Sequence, residues 1–295
     1  MEFITQLLNG LSLGSIYALV ALGYSMVYGI VQLINFAHGD IIMVGGYTIY
    51  LVMVLNGLPA WLAVLAPVVA CALAGMLIER IAYHRLLTHN AERISLLITA
   101  LGVSLFLQNL FMLLFKADSR NIPPLVEASA FQLGGLRIAG DTLINIVVSV
   151  IMMIMLQLLV NKTKVGKAMK ATSEDAGAAK LMGINTSSII LITFAIGSAL
   201  AAVGALLYCN TSTLGQIRPT MGNLLGLKAF VAAVLGGIGS IPGAMLGGYL
   251  LGIVEELTKA YITSTVTDAV VFAILIVVLL VRPAGLMGKP RKEKV

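Results

Sequence analysis

The chain has few charged residues. Asp, Glu, Lys and Arg make up only 11% of its 295 residues, whereas 59% are hydrophobic and the mean hydropathy is +1.00. Soluble domains carry about 25% charged residues, so this composition excludes an ordinary soluble domain and is typical of a polytopic membrane protein. The net charge of +6 does not predict nucleic-acid binding. The basic residues gather in short loops beside apolar segments, as they do on the cytoplasmic side of membrane proteins.

Residues that could support catalysis or hold a metal are also scarce. The only two cysteines, Cys71 and Cys209, lie far apart in sequence and provide neither metal-ligand spacing nor a disulfide framework. The nearest approach to a phosphate-binding loop is Gly166-Lys167-Ala168, which lacks the first glycine and the Ser or Thr after Lys. We therefore expect no metal, no cofactor and no enzymatic activity on this chain. If ATP drives the protein, another subunit must bind it.

Long apolar runs predict most of the fold. A membrane-spanning helix needs about 20 apolar residues, and runs of suitable length lie at 4–29, 40–58, 60–83, 94–115, 142–160, 187–209 and 266–282. A cluster of helix breakers at 236–243 divides the segment 223–258 into a short helix and a longer one. The prediction is an all-α polytopic membrane protein, a single transmembrane domain over 1–295 with eight or nine helices, broken or short near 30–40 and 223–243. The residues predicted to break helices are Gly39, Gly236, Gly237, Gly239, Pro242 and Gly243.

The basic loops predict the orientation of the helices. Arg80, Arg85 and Arg93, the lysines of 162–180 and the segment 282–294 should face the cytoplasm. The connection 116–141 has no basic excess and should lie outside. The side on which the chain begins depends on how residues 30–40 are built.

A polar segment at 161–188 separates two apolar runs and predicts a cytoplasmic loop with its own short helix. Thr172 would cap this helix with Asp175 as its third residue, and Gly183 would end it in a left-handed conformation. About ten residues span roughly 15 Å, half of a hydrocarbon core. The helix should therefore lie outside the membrane, where a soluble partner binds it.

A second polar group, in the sequence INFAHGD at 34–40, is wedged between apolar segments. Polar groups at membrane depth are costly unless they pair or face a cavity. His38 and Asp40 could form a proton relay, or Asn35, His38 and Asp40 could cap the ends of a broken helix, and the pattern favours capping. Lys228 lies in the short helix and is either a salt-bridged structural lysine or a pathway residue. These four residues are the candidates for a translocation pathway.

Several of these segments together resemble one known family. The chain is similar, nearly end to end, to the permease subunits of branched-chain amino acid ABC importers. The motifs that support the resemblance are GLSLGSIYALVALGYSMVYG at 10–29, INFAHGD at 34–40, IERIAYHRL at 78–86, ATSEDAGAAKLMGIN at 171–185 and GLKAFVAAVLGGIGSIPGAMLGGYLLGIVE at 226–255.

The resemblance gives the polar segment a role. ABC permeases carry a cytoplasmic coupling helix with the pattern E-A-A-x-x-x-G, and here Gly177 stands in the place of the acid, which is displaced to earlier residues. The resemblance therefore implies an ATPase-coupling set comprising Glu174, Asp175, Gly177, Ala178, Ala179, Leu181, Met182 and Gly183.

The resemblance also implies a mechanism and partners. An external or periplasmic binding protein would deliver the amino acid, and two ABC ATPase subunits, which bind ATP and Mg, would drive alternating access. A second homologous permease would complete a heterodimer in the bacterial cytoplasmic (inner) membrane. Two other functions stay open at this point: an ABC permease for urea, amides or other amino acids, and a proton-coupled carrier that uses His38 and Asp40.

Overall fold

The computed structural model describes residues 2–288 except 33, 90, 127–129, 134–135 and 212–214. Among the described residues, seven helices are long and apolar enough to cross a membrane, and an eighth, shorter apolar helix accompanies them. A further helix of 21 residues packs along the first one. This confirms the predicted all-α polytopic fold with eight or nine helices. Residues 289–294 of the basic segment 282–294 lie outside the described residues.

The helices follow the apolar runs closely. Their bounds are α1 Glu2–Val31, α2 His38–Tyr50, α3 Ala60–Ile78, α4 His84–Thr88, α5 Arg93–Phe115, α6 Gly140–Lys162, α7 Lys164–Glu174, α8 Ala176–Leu181, α9 Thr186–Asn210, α10 Met221–Gly236, α11 Ile241–Tyr261 and α12 Thr267–Val281. Two π segments, Leu51–Leu55 and Glu79–Tyr83, continue α2 and α3, and a 3-10 turn covers Ser264–Val266. Two small antiparallel ribbons join β1 Arg120–Asn121 to β4 Gln216–Ile217 and β2 Phe131–Leu133 to β3 Leu136–Ile138.

Helix α1 is the centre of the bundle. Its residues from Gly10 to Val27 are almost all buried, and it packs against α11, α9, α6 and α10. In contrast, α3, α5, α6 and α12 bury only a small share of their surface within the chain. Inside a bilayer the hydrophobic effect does not drive helices together. Small residues that let helix backbones approach closely therefore determine which helices form the core.

Glycines produce the closest helix contacts. A Cβ atom added at Gly14 would lie 2.8 Å from the Cα atom of Tyr249, and one added at Gly10 would lie 2.7 Å from that of Ile253. Helices α1 and α11 therefore run antiparallel at near backbone contact. Such contact is possible only where side chains are absent.

The packing also places the start of α1. Gly204 of α9 faces Ile16 and Val20, whereas Gly197 faces Gly23 and Val27, so α1 and α9 are antiparallel. The basic residues predict that the lysine-rich segment before α9 faces the cytoplasm, in which case α9 runs outward and α1 runs inward. This orientation would place the first residues of α1 on the external side, which the sequence alone left open.

Both predicted breaks are present. Helix α1 ends at Val31 and α2 begins at His38, and α10 ends at Gly236 before α11 begins at Ile241. At the second break Gly237 and Gly239 have φ values of +106° and +89°, which L-residues with a Cβ atom rarely adopt. Pro242 lies in the first turn of α11, where its missing N–H is not needed.

Candidate functional site

The cytoplasmic segment between α6 and α9 forms two helices. Helix α7 buries Gly166, Met169 and Thr172 on one face, at helical spacing, and packs against α6, α1 and α9. The side chain of Thr163 caps it by accepting a hydrogen bond from the backbone N–H of Gly166 at 3.0 Å. The shorter helix α8 follows after one residue and lies farther from the core. The segment is therefore a structured element held against the membrane domain.

The predicted cap of this segment was wrong. Thr172 lies in the last turn of α7 and donates to the carbonyl of Ala168 at 2.8 Å. Asp175 is itself the cap of α8, and its carboxylate accepts from the backbone N–H of Ala178 at 2.9 Å. A carboxylate is the stronger cap for the positive end of a helix, and Thr172 belongs to the buried stripe of α7. Helix α8, which ends this segment, is consequently six residues long, whereas the sequence predicted a helix of about ten residues.

The predicted end of the segment is confirmed. Gly183 has a φ of +82°, and its N–H donates to the carbonyl of Lys180 at 3.0 Å. The N–H of Ile184 donates to the carbonyl of Ala179, also at 3.0 Å. This pair of bonds is a Schellman motif, which a left-handed residue closes.

Two large apolar side chains project from the end of α8. Leu181 is 90% exposed and Met182 is 83% exposed, whereas Ala179 on the opposite face is buried. We call Leu181, Met182 and the exposed face of α8 the docking surface. Two adjacent exposed apolar residues on a capped helix form an apolar patch that is available to a partner. Most of the predicted coupling set lies in or beside α8: Glu174 ends α7, Asp175 caps α8, Gly177, Ala178 and Leu181 lie within α8, and Met182 and Gly183 follow it.

A polar cluster surrounds the break between α1 and α2. Asn35 accepts a hydrogen bond from the Tyr83 hydroxyl at 2.9 Å, and Asp40 accepts one from the Gln108 amide at 3.0 Å. The His38 ring lies against Tyr24, with ring centroids 4.7 Å apart. Three elements besides α2 thus supply partners to this break: α1, the π segment Glu79–Tyr83 and α5.

The interpretation of Asn35, His38 and Asp40 as helix caps was wrong. The residue before α2 is Ala37, and no side chain caps this helix. Tyrosine and amide side chains on neighbouring helices instead provide donors for Asn35 and Asp40, which satisfies them better than local capping inside a bilayer. His38 Nε2 and Asp40 Oδ2 are buried and have no hydrogen-bond partner among the described residues.

Glycines bring α2 and α10 together beside this cluster. A Cβ atom on Gly226 would lie 2.5 Å from the Cα atom of Gly39, and one on Gly222 would lie 2.8 Å from the Cα atom of Asp40. Gly39, predicted as a helix breaker, therefore acts mainly by allowing this approach. The first turn of α2 packs at backbone distance against the short helix α10.

Lys228 is buried and lies in a charge network that extends from the buried Glu255 to the half-exposed Asp268. Its ammonium is 2.9 Å from a Glu255 carboxylate oxygen and 2.8 Å from one of Asp268. Glu255 also accepts from the Tyr17 hydroxyl at 2.8 Å and pairs with Lys259 at 3.0 Å. The network joins α1, α10, α11 and α12. Of the two interpretations of Lys228, this geometry supports the salt-bridged structural lysine.

Sequence reasoning missed the partners of these polar residues. Tyr83 and Gln108 lie in apolar helices, where any polar side chain needs a partner, but nothing in the sequence shows which one it meets. No group of three or more His, Cys, Asp or Glu side chains arranged for a metal is present within the described part of the chain.

The fold and these two regions define a class. An all-α bundle with two interrupted helices, a buried polar cluster at one interruption and a cytoplasmic docking surface is an integral membrane permease, a multi-pass protein of the cytoplasmic membrane. The family model described as the branched-chain amino acid transport system permease component matches residues 6–279. The chain therefore belongs to that family.

Individual relatives agree over the full length. The chain is 43% identical to the high-affinity branched-chain amino acid transport system permease protein BraD of Pseudomonas aeruginosa, with 100% of this chain and 98% of the relative covered. It is 41% identical to LivH of Escherichia coli, a permease protein of the same description, with the same coverage. A probable branched-chain amino acid transport permease protein, LivH of Methanocaldococcus jannaschii, is 30% identical over 95% of this chain and 90% of the relative.

One solved structure shares the fold. PsaBC from Streptococcus pneumoniae in complex with Fab matches with a TM-score of 0.51 and 14% identity, over 96% of this chain and 93% of that one. At this identity the similarity supports the architecture alone.

Proposed function

We propose that this chain is the permease subunit of an ATP-driven importer, and that it moves branched-chain amino acids across the cytoplasmic membrane by alternating access. The observation that carries the proposal is the full-length similarity to branched-chain amino acid permeases, together with a docking surface on the cytoplasmic side. Its relatives are transport permeases, and this chain has the same role rather than an enzymatic one.

ATP hydrolysis takes place on partner subunits in this proposal. The chain contributes the docking surface, where Leu181 and Met182 enter an apolar groove on an ABC ATPase and the capped helix fixes their position. Burying two such side chains contributes about 3–6 kcal/mol if both become fully covered. In this proposal ATP and Mg bind to the ATPases and not to this chain.

The proposed assembly contains four kinds of subunit. Two ATPases bind on the cytoplasmic side, a second homologous permease completes the membrane domain as a heterodimer, and an external binding protein delivers the amino acid. The lightly buried helices α3, α5, α6 and α12 leave ample surface for lipid and for the second permease.

The translocation pathway runs beside the break between α1 and α2. Asn35, His38 and Asp40 lie there, and two of them have buried polar atoms without partners among the described residues. A branched side chain needs apolar lining with few polar contacts, and a strong site is unnecessary because the binding protein has already selected the solute. Lys228 is fully engaged by carboxylates and stabilises the fold beside this pathway.

Purification and reconstitution test the proposal. The chain is purified in mild detergent from its native membrane, its partners are identified by mass spectrometry, and the complex is placed in liposomes with labelled leucine, isoleucine or valine. We expect two ATPases and a second permease, with uptake that requires ATP and the binding protein. Uptake by this chain alone under a proton gradient would instead establish a proton-coupled carrier. Competition by urea or amides, but not by leucine, would move the assignment to a related permease.

A further inference from the structure

The π segment Glu79–Tyr83 lies between the docking surface and the break that precedes α2. It joins α3 to α4 within a single membrane-spanning helix. A π segment holds one extra residue in a helical turn, and such segments occur frequently at functional sites. The proposed function does not account for this one.

Glu79, the first residue of the π segment, has contacts that lead towards the docking surface. Glu79 is almost fully buried, and one of its carboxylate oxygens lies 3.3 Å from Nδ1 of His84. The same nitrogen lies 3.3 Å from the hydroxyl of Ser187. Ser187 is in the first turn of α9, directly after the loop that begins at Gly183. His84 therefore links Glu79 to the first turn of α9, which follows the docking surface in the chain.

The last residue of the segment is connected to the break. The buried Tyr83 hydroxyl donates to the side chain of Asn35 at 2.9 Å, and the Tyr83 ring packs on Phe194 with centroids 5.5 Å apart. The backbone carbonyl of Asn35 accepts from the N–H of His38, the first residue of α2, at 3.0 Å. Rotation of Tyr83 therefore acts on the start of α2.

An alternative arrangement of the π segment would be a regular α-helix. Shifting the extra residue out of this turn would rotate the residues beyond it by about 100°. The second carboxylate oxygen of Glu79 is buried without a partner among the described residues. An unsatisfied buried acceptor raises the free energy of the π form. This reduces the free-energy difference between the π form and the α-helical form.

We propose that the π segment Glu79–Tyr83 is the link through which movement of the docking surface reaches the break between α1 and α2, with His84 and Tyr83 as its positioning residues. The inference rests on the proposed function, because it assigns the path by which ATPase movement reaches the pathway. A link of this kind requires an element with two states that both sites influence, and the π and α forms of this segment would be those two states.

The test measures coupling in the complete importer. The two permeases, the ATPases and the binding protein are reconstituted in liposomes, and the number of ATP molecules hydrolysed per leucine taken up is determined. Tyr83→Phe removes the hydroxyl and keeps the ring against Phe194. We expect normal assembly and ATP hydrolysis, with uptake lowered on the order of fivefold, as loss of one buried hydrogen bond implies. Tyr50→Phe, at the external end of α2, is the matched control and should leave the ratio unchanged.

Two further variants separate coupling from stability. His84→Leu should also uncouple, whereas His84→Asn, whose amide nitrogen can replace Nδ1, should restore most of the coupling. In a double-mutant cycle, Asn35→Ala combined with Tyr83→Phe should lower uptake no more than the stronger single variant, because the two residues act as one pair.

Other outcomes overturn the inference. These are an unchanged ATP-to-leucine ratio in Tyr83→Phe, independent effects of Asn35→Ala and Tyr83→Phe, or loss of assembly in Tyr83→Phe, which would show a structural role alone. A wild-type complex whose ATPase activity is not stimulated by leucine and the binding protein would instead refute the proposed function. Failure of the inference and failure of the proposed function are therefore distinguishable.

Discussion

The contact between α2 and α10 gives the sharpest prediction from this structure. Replacing Gly226 by Ala would place a Cβ atom 2.5 Å from the Cα atom of Gly39. Carbon atoms pack at about 3.5–4.0 Å, so the two helices must separate by roughly 1 Å. The obstructing atoms are backbone, which cannot rotate away. Overpacking of this kind costs about 1–3 kcal/mol, and here it also displaces the start of α2, on which the proposed pathway depends.

Thermal unfolding and uptake together test this reasoning. We expect Gly226→Ala to unfold several degrees lower in detergent, at about 2–4 °C per kcal/mol, and to lose most leucine uptake in the reconstituted complex. Gly102→Ala is the matched control, because a Cβ atom at this glycine of α5 meets nothing within 4 Å. Gly226→Ala with wild-type unfolding temperature and uptake would refute the close contact and its role.

Three further predictions concern the docking surface and the charge network. Gly183→Val should uncouple ATP hydrolysis from uptake, because a left-handed residue with a branched side chain costs at least about 1–2 kcal/mol, whereas Gly183→Asn should retain coupling; equal ATP-to-leucine ratios would contradict this. Leu181→Ser should lower the amount of ATPase that copurifies without changing the unfolding temperature, and Leu181→Met should restore binding; normal ATPase recovery with Leu181→Ser would exclude the docking role. Lys228→Met should destabilise the chain by about 3 kcal/mol, since Glu255 and Asp268 lose a buried partner, and an unchanged unfolding temperature would remove the network from the structural core.

Much of the fold is predictable from the sequence because hydropathy and breakers act locally. The apolar runs define the spans, and the glycines at 236–239 define the second break, since each signal depends on neighbouring residues only. The cap of α8 was misplaced because Thr172 and Asp175 are both good caps, and the choice depends on the burial of Thr172 against other helices. Tertiary packing therefore determines which of the two residues caps α8.

The candidate sites were only partly predictable for the same reason. The sequence showed that Asn35, His38, Asp40 and Lys228 need partners, since polar groups inside a bilayer are costly. It did not show that Tyr83 meets Asn35, because the two residues are 48 positions apart and belong to different helices. Which residues pair across helices depends on how each helix is rotated about its axis. In a helix that is hydrophobic on almost every face, the apolar periodicity is too weak to determine that rotation.

The polar residues inside the membrane divide by how completely they are paired. Lys228 has two carboxylates within 2.9 Å, and opening this network for a solute would leave buried charges without partners, at a cost of several kcal/mol. At the break, His38 and Asp40 each keep a buried polar atom without a partner among the described residues, so a rearrangement there can gain hydrogen bonds. A moving part of a transporter must have two arrangements of similar free energy. On this argument we propose that Lys228 belongs to the fixed frame and that the break between α1 and α2 is the part that moves.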